Sequence, residues 1–255
     1  MKLSVIIPAY NHLADILVCI NSLKALSVTT DWETIVQDDA SPEYIGPMVI
    51  PPGIAVCQRN EHNLGFGQNC NSCAARAHGD VLLFVNQDVF AVPGWSNGWD
   101  SILLSAFADA SIGIVGPRLL FLNLSVQSAG GLFDAHGQPF HPCLGYSNPH
   151  HPDVSTPKVV SWVTGAALAV RRELFYAVGG FDPVYKAYFE DVDLSMKVRE
   201  AGFKVWYEPR ATLIHQTGST GGSPYFMQSA QTFKQRWVDT GKIQQDSYAV
   251  KERFW

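Results

Sequence analysis

The chain of 255 residues is 47% hydrophobic and 16% charged, the composition of a well-filled globular protein and not of a disordered one. Its net charge of −5 argues against a nucleic-acid backbone as the main partner. No apolar run reaches the roughly 18 residues a membrane span needs, and the apolar start at residues 3–8 is too short for a signal peptide. The five cysteines are odd in number and scattered, as expected for reduced thiols in a cytosol.

Ser4-Val5-Ile6-Ile7-Pro8 predicts a first strand leading into Ala9-Tyr10-Asn11. A helix over 15–26 follows, with Ile16, Leu17, Ile20 and Leu23 near helical spacing and Asn11 or Asp15 as its cap. Residues 33–37 predict a second strand, ending in Asp38-Asp39, and residues 54–57 a third. After the glycine-punctuated loop 60–67 comes a helix over 68–77. Val81-Leu82-Leu83-Phe84-Val85 then predicts a fourth strand, apolar throughout and therefore buried on both faces. It delivers Asn86-Gln87-Asp88 at its carboxyl end. Strands alternating with helices predict a parallel sheet, which places its ligand site at those strand ends. A spacing of two points Asn86 and Asp88 to one side of an extended chain, where both could serve one diphosphate-bound cation.

The second half is less regular. A helix over 97–107 leads to a strand over 112–121, and the segment 123–157 is rich in glycine and proline, a pattern that is usually functional or mobile. Residues 159–170 predict one central strand interrupted by Gly165. Gly179-Gly180-Phe181-Asp182 is a turn, and helical spacing resumes at Leu194 and ends at Gly202. Two short strands, 205–207 and 211–214, run into His215; a Gly/Ser loop over 217–223 and a last helix over 225–240 follow. Cys70 and Cys73 have metal spacing but lie on a predicted helix with no second pair, so they read as structural. His141, Cys143, His150 and His151 read as exposed loop side chains, and Trp162 as a core residue that could offer a sugar-stacking face beside Gly165.

Four stretches carry a resemblance to a known family: Ser4 to Asn11; Asn63-Leu64-Gly65-Phe66-Gly67 with Asn71; Asn86-Gln87-Asp88; and Val178 to Asp182 with Tyr188-Phe189-Glu190-Asp191-Val192-Asp193-Leu194. In this order and spacing the chain resembles the family 2 inverting glycosyltransferases of the GT-A fold, and most closely their rhamnosyltransferase-like branch. The resemblance implies an α/β fold with a mostly parallel, Rossmann-like central sheet flanked by helices. It implies one domain over 1–255, with a nucleotide-sugar half to about residue 95 and a mixed-sheet acceptor half beyond.

The resemblance also implies the chemistry. Asp88 is the expected ligand of a divalent cation, Mn2+ or Mg2+, which stabilises a departing diphosphate. Asn86 stands where the family has a first acid and is a neutral, weaker ligand. His215 matches a further imidazole ligand of some relatives, which suits manganese better than magnesium. Asp191 matches the catalytic base and Glu190 a contact to acceptor hydroxyls, with Trp162 and Gly165 nearby; Asp193 reads as a helix N-terminal charge. Pro8, Ala9 and Tyr10 would line the base pocket, with Asn63, Gly65, Gly67, Asn71, Asn86 and Gln87 around the nucleotide. Asp38 or Asp39 would accept the N3 hydrogen of uracil or thymine; cytosine has none. The expected partners are a UDP- or dTDP-sugar and a saccharide or lipid-linked glycan, as in bacterial cell-surface polysaccharide synthesis. The expected place is the cytoplasm, at the inner face of the membrane where the acceptor is lipid-linked. Asn86 keeps open a nucleotide-sugar-binding protein without catalysis. A nucleotidylyltransferase would need a glycine-rich basic loop where Pro8-Ala9-Tyr10-Asn11 stands.

Overall fold

The computed structural model describes residues 1–29, 31–43, 56–217, 224–243 and 246. The first half alternates as the sequence predicts: β1 (Leu3–Ala9), α1 (Leu13–Leu26), β2 (Trp32–Asp38), β3 (Val56–Arg59), α2 (Phe66–Ala74) and β4 (Val81–Val85). These strands lie in the order β3-β2-β1-β4, all parallel. Residues 54 and 55 of the predicted third strand fall outside the described residues, as does all but Thr217 of the Gly/Ser loop.

Side-chain alternation explains why β4 is apolar at every position. Val81, Leu83 and Val85 pack on one face with Ile16, Ile20 and Leu23 of α1, whereas Leu82 and Phe84 pack on the other. There Phe84 meets Phe175 and Phe181 at ring-centroid distances of 5.2 and 4.9 Å. A strand covered by helices on both faces has no solvent side on which polar residues would be tolerated.

The remaining elements are β5 (Val89–Phe90), α3 (Trp99–Ala106), β6 (Ile112–Leu120), β7 (Val126–Ser128), β8 (Leu132–Phe133), β9 (Pro139–Phe140), α4 (Pro152–Ser155), β10 (Lys158–Val160), β11 (Ala167–Arg171), α5 (Arg172–Ala177), α6 (Glu190–Glu200), β12 (Lys204–His215) and α7 (Phe226–Phe233), which continues into a π-helical turn at Lys234–Val238. They extend the sheet in the order β4-β11-β6-β12-β10, with β11 antiparallel to both its neighbours. The result is the predicted parallel half joined to a mixed half.

Three details differ from the sequence reading. No side chain caps α1; its first turn starts from His12 in the left-handed region, and Asp15 sits in that turn without capping it. The predicted strand over 159–170 is two strands in different places. β10 pairs with β12 at the sheet edge, β11 pairs with β4 at the centre, and residues 161–166 cross between them. Conversely, the two short strands before His215 are one strand, β12, with an irregularity between Glu208 and Thr212 where Pro209 interrupts the ladder. Among the described residues no helix is long and apolar enough to cross a membrane.

Candidate active site

The carboxyl ends of β1, β2, β4 and β12 open on one cleft of about 820 Å³. Pro8, Ala9, Tyr10, Asp39, Asn63, Gly65, Asn86, Gln87, Asp88, Trp162, Gly165, Glu190, Asp191 and His215 all line it. Of the residues singled out from sequence, Asp38, Gly67 and Asn71 are not in this lining.

The reasons are local. Asp38 closes β2 with its side chain inward, where it accepts from Ser41 and forms an ion pair with Arg59 at 2.6 Å. Asp39, one residue on, faces the cleft and accepts the Leu64 and Gly65 amide N–H groups at 2.8 and 2.9 Å. The strand period thus separates two acids that adjacency in sequence left equivalent. Gly65 holds φ +85° with its α-carbon against the Lys186 carbonyl, where a Cβ would come within 2.6 Å. Asn71 clamps the turn before α6 instead, accepting from Phe181 N–H and donating to its carbonyl. Gln87 fixes the loop after β1: its Oε1 accepts the Tyr10 N–H, and its Nε2 donates to the Tyr10 and Asn11 carbonyls.

On the opposite wall Asp88 Oδ1 lies 3.2 Å from His215 Nε2, both side chains nearly buried. His215 Nδ1 sits 2.6 Å from Gln127 Oε1, an acceptor, so Nδ1 carries a hydrogen. Gln127 Nε2 donates to the His215 carbonyl at 3.3 Å, which sets the amide's orientation. Nε2 faces the Asp88 carboxylate, and Asn86 Nδ2 stands 3.4 Å from Nε2. Two electron-rich atoms at this distance share a proton or a cation. Carboxylate and imidazole are a donor pair suited to a borderline divalent ion, Asn86 turns its amide N–H and not its oxygen to the imidazole, and the Gln127 bond is the kind of outer contact that orients a ligating imidazole. No cluster of three or more His, Cys, Asp or Glu forms among the described residues.

Glu190 and Asp191 open α6. Asp191 Oδ2 accepts the Gly165 N–H at 2.7 Å and Oδ1 the Val192 N–H at 2.8 Å. Burial raises the Asp191 pKa, and these amide bonds oppose the rise. Burial, with the Asp191 charge beside it, pushes Glu190 up to about 8, and Glu190 Oε2 has no hydrogen-bond partner. Tyr188 and Phe189, just before the pair, both hold left-handed backbone, φ 65° and 69°. For bulky residues that is a strained arrangement, common where a site is built.

Asp193 is more than a helix-terminal charge. It is fully buried and accepts from Trp237 Nε1 (2.8 Å), Arg236 (2.9 Å) and the Tyr185 hydroxyl (3.2 Å). Other contributors had no sequence signal of their own. Gln127 comes from β7, and His141 reaches the cleft beside Trp162, 4.6 Å between rings. Burial pulls the His141 pKa down to about 4, against a backbone hydrogen bond at Gly130. His150 instead stacks on Trp95 at 5.1 Å, so the histidines of the 123–157 segment do not converge.

The family model described as Glycosyl transferase family 2 matches residues 4–98. The chain is 31% identical over 185 residues to the N-acetylglucosaminyl-diphospho-decaprenol L-rhamnosyltransferase of Mycobacterium tuberculosis, covering 64% of this chain and 59% of the relative. Its fold is similar to that of GalNAc-T7 solved with UDP, GalNAc and Mn2+, with a TM-score of 0.73, 20% identity and coverage of 93% and 48%. It is also similar to the mannosyltransferase PcManGT of Pyrobaculum calidifontis solved with GDP-Man and Mn2+, with a TM-score of 0.66, 18% identity and coverage of 96% and 65%. The chain spans less than two thirds of the length of each of these proteins. At such identities the solved structures speak to the fold alone. The chain carries a glycosyl transferase family 2 match over residues 4–98, within a GT-A fold.

Proposed function

We propose that this protein is an inverting glycosyltransferase that moves a sugar from a UDP- or dTDP-linked donor to a hydroxyl of a saccharide or lipid-linked glycan. The observation that carries the reading is the convergence, on one cleft, of the Asp88–His215 pair, Asp39 on the nucleotide side, and Asp191 held by the Gly165 amide. Residues to about 95 would hold the donor and those beyond it the acceptor.

Asp39 takes the N3 hydrogen of uracil or thymine on the Oδ2 lone pair left after its bonds to Asn60, Leu64 and Gly65. Asp88 and His215, with Asn86, would hold a divalent cation, Mn2+ or Mg2+, whose Lewis acidity stabilises a departing diphosphate. Asp191, oriented by two backbone amides, accepts the acceptor's hydroxyl proton as that oxygen bonds to the anomeric carbon and the bond to the diphosphate breaks. Glu190, kept protonated by burial up to about pH 8, donates a hydrogen bond to the acceptor. A rhamnosyl donor is supported by the motifs and by the name of the mycobacterial relative. Such an acceptor would place the enzyme in the cytoplasm at the membrane's inner face.

A nucleotide-release assay over UDP-, dTDP- and GDP-sugars with manganese tests the reading. Release with a UDP or dTDP sugar is the expected result. Metal-dependent donor binding with no release across acceptors would favour a binding protein without catalysis, the reading that the neutral Asn86 keeps in view.

A further inference from the structure

Large apolar side chains at a surface are unremarkable singly, but a cluster at the rim of a cleft marks a binding face. Tyr188 and Phe226 are 40% and 47% exposed, and both line the cleft. Their rings meet edge-to-face at 5.3 Å. Behind them, Phe226 touches Phe189 at 5.7 Å and Phe189 touches Phe233 at 5.2 Å, so the exposed pair is the outer end of a packed aromatic column. Ser229 Oγ donates to the Ala187 carbonyl at 2.7 Å and ties α7 to the segment bearing Tyr188. The left-handed backbone at Tyr188 and Phe189 turns one ring out and the next one in. Strain maintained to keep an aromatic face in water points to something that covers it.

We propose that Tyr188, buttressed edge-to-face by Phe226, is a stacking platform for one pyranose ring; that this ring is the acceptor's rests on the transferase reading. A pyranose has a face of C–H bonds that lies on an aromatic face, and a rim of hydroxyls that needs polar partners. Both are at hand, because Glu190 and Asp191 follow Tyr188 directly and line the same cleft. A polyisoprenoid chain would match the rings but offers nothing to two carboxyl groups, and it would need a long groove in place of two rings. Trp162, the aromatic residue that sequence favours for this role, is 5% exposed and donates its Nε1–H to the Leu132 carbonyl. It serves as wall and not as platform.

Saturation-transfer NMR on the full chain with methyl β-D-glucopyranoside, methyl N-acetyl-β-D-glucosaminide and methyl α-L-rhamnopyranoside tests this without requiring turnover. The expected result is contact at the C–H protons of one ring face for at least one glycoside. Tyr188→Ala should weaken that binding about tenfold and Phe226→Ala several-fold, with Tyr188→Trp close to wild type. Tyr188 is exposed, so its variants should fold even where Phe226→Ala does not. Manganese-dependent binding of UDP-glucose and dTDP-rhamnose, read on the same samples, should be unchanged in Tyr188→Ala. Absence of glycoside contact in the wild type, unchanged affinity in Tyr188→Ala, or displacement of the glycoside by farnesyl phosphate in a Tyr188-dependent way would each overturn the platform. Glycoside contact that depends on Tyr188, with no nucleotide sugar bound by the wild type, would support the platform while removing the proposed function.

Discussion

Asp191 Oδ2 accepts the Gly165 amide N–H at 2.7 Å, joining the first turn of α6 to the segment that crosses between β10 and β11. The bond orients a buried carboxylate without taking its place as a proton acceptor, which the proposed role as base requires. Gly165 also leaves room for the Phe66 ring, which a Cβ there would approach to 3.2 Å.

Asp191→Asn removes the proposed proton acceptor and sets an amide N–H against one of the two backbone N–H groups, with little change in volume. Turnover should fall by roughly two to four orders of magnitude, with donor affinity nearly unchanged. Glu190→Gln should mainly raise the acceptor KM. Steady-state kinetics of both variants with one acceptor separate the roles, and near-normal turnover in Asp191→Asn would remove that residue from the mechanism.

Asp88→Ala should abolish metal-dependent donor binding while the circular dichroism spectrum remains that of a folded chain. Asn86→Asp should retain or strengthen metal affinity by adding a formal charge to the ligand set. Calorimetry with manganese and UDP- or dTDP-sugars reads both. Unchanged metal dependence in Asp88→Ala would count decisively against the assignment.

Glu190 makes stability depend on pH. Its folded pKa, about 8, lies above the ordinary 4.5, so between these values the folded chain holds a proton that the unfolded chain has released. Stability must then fall as pH rises through that window, and this contribution levels off above about 8. The groups facing it are Asp191 beside it and Cys70 on α2, whose own pKa burial raises. Glu190→Gln should flatten the fall in Tm between pH 5 and pH 8.5; parallel profiles for variant and wild type would contradict this.

Asp193→Ala leaves the Trp237 N–H and the Tyr185 hydroxyl without their buried acceptor, while Arg236, partly exposed, keeps its ion pair with Asp182 at 2.8 Å. An unsatisfied buried donor costs about 1–3 kcal/mol, so chemical denaturation should show a loss of that order. A loss under about 1 kcal/mol would mean that the hub is replaced by solvent.

The parallel half was legible because each of its strands is a short apolar run closed by polar residues, with helical spacing between runs. The crossing at 161–166 was not, since Val159 to Val170 is apolar on both sides of Gly165 and nothing local reports that the chain leaves one strand for another. Pro209 had the opposite effect and made β12 look like two strands. The two-residue β5 is too short to show any periodicity. Asp88 and Asp191 stood out through motif and position, whereas Gln127, behind His215, and His141, in the cleft wall, lie in a segment without periodicity and reach their places through tertiary packing. Asp38 and Asp39 were indistinguishable until the facing of β2 was known.

Main-chain pairing brings Asp88, in the turn between β4 and β5, beside His215 at the end of β12. β5, directly after Asp88, pairs with the end of β12, Val89 opposite His215, and the Gln216 N–H donates to the Asp88 carbonyl at 3.0 Å. This pairing fixes the backbone positions of the two residues whatever side chains they carry. Exchanging the imidazole for a carboxylate would alter the hardness of the proposed site, and side-chain length would then set its span. Were the proposed cation site to adapt to a different ion, the change would fall on side chains and leave the backbone as it is.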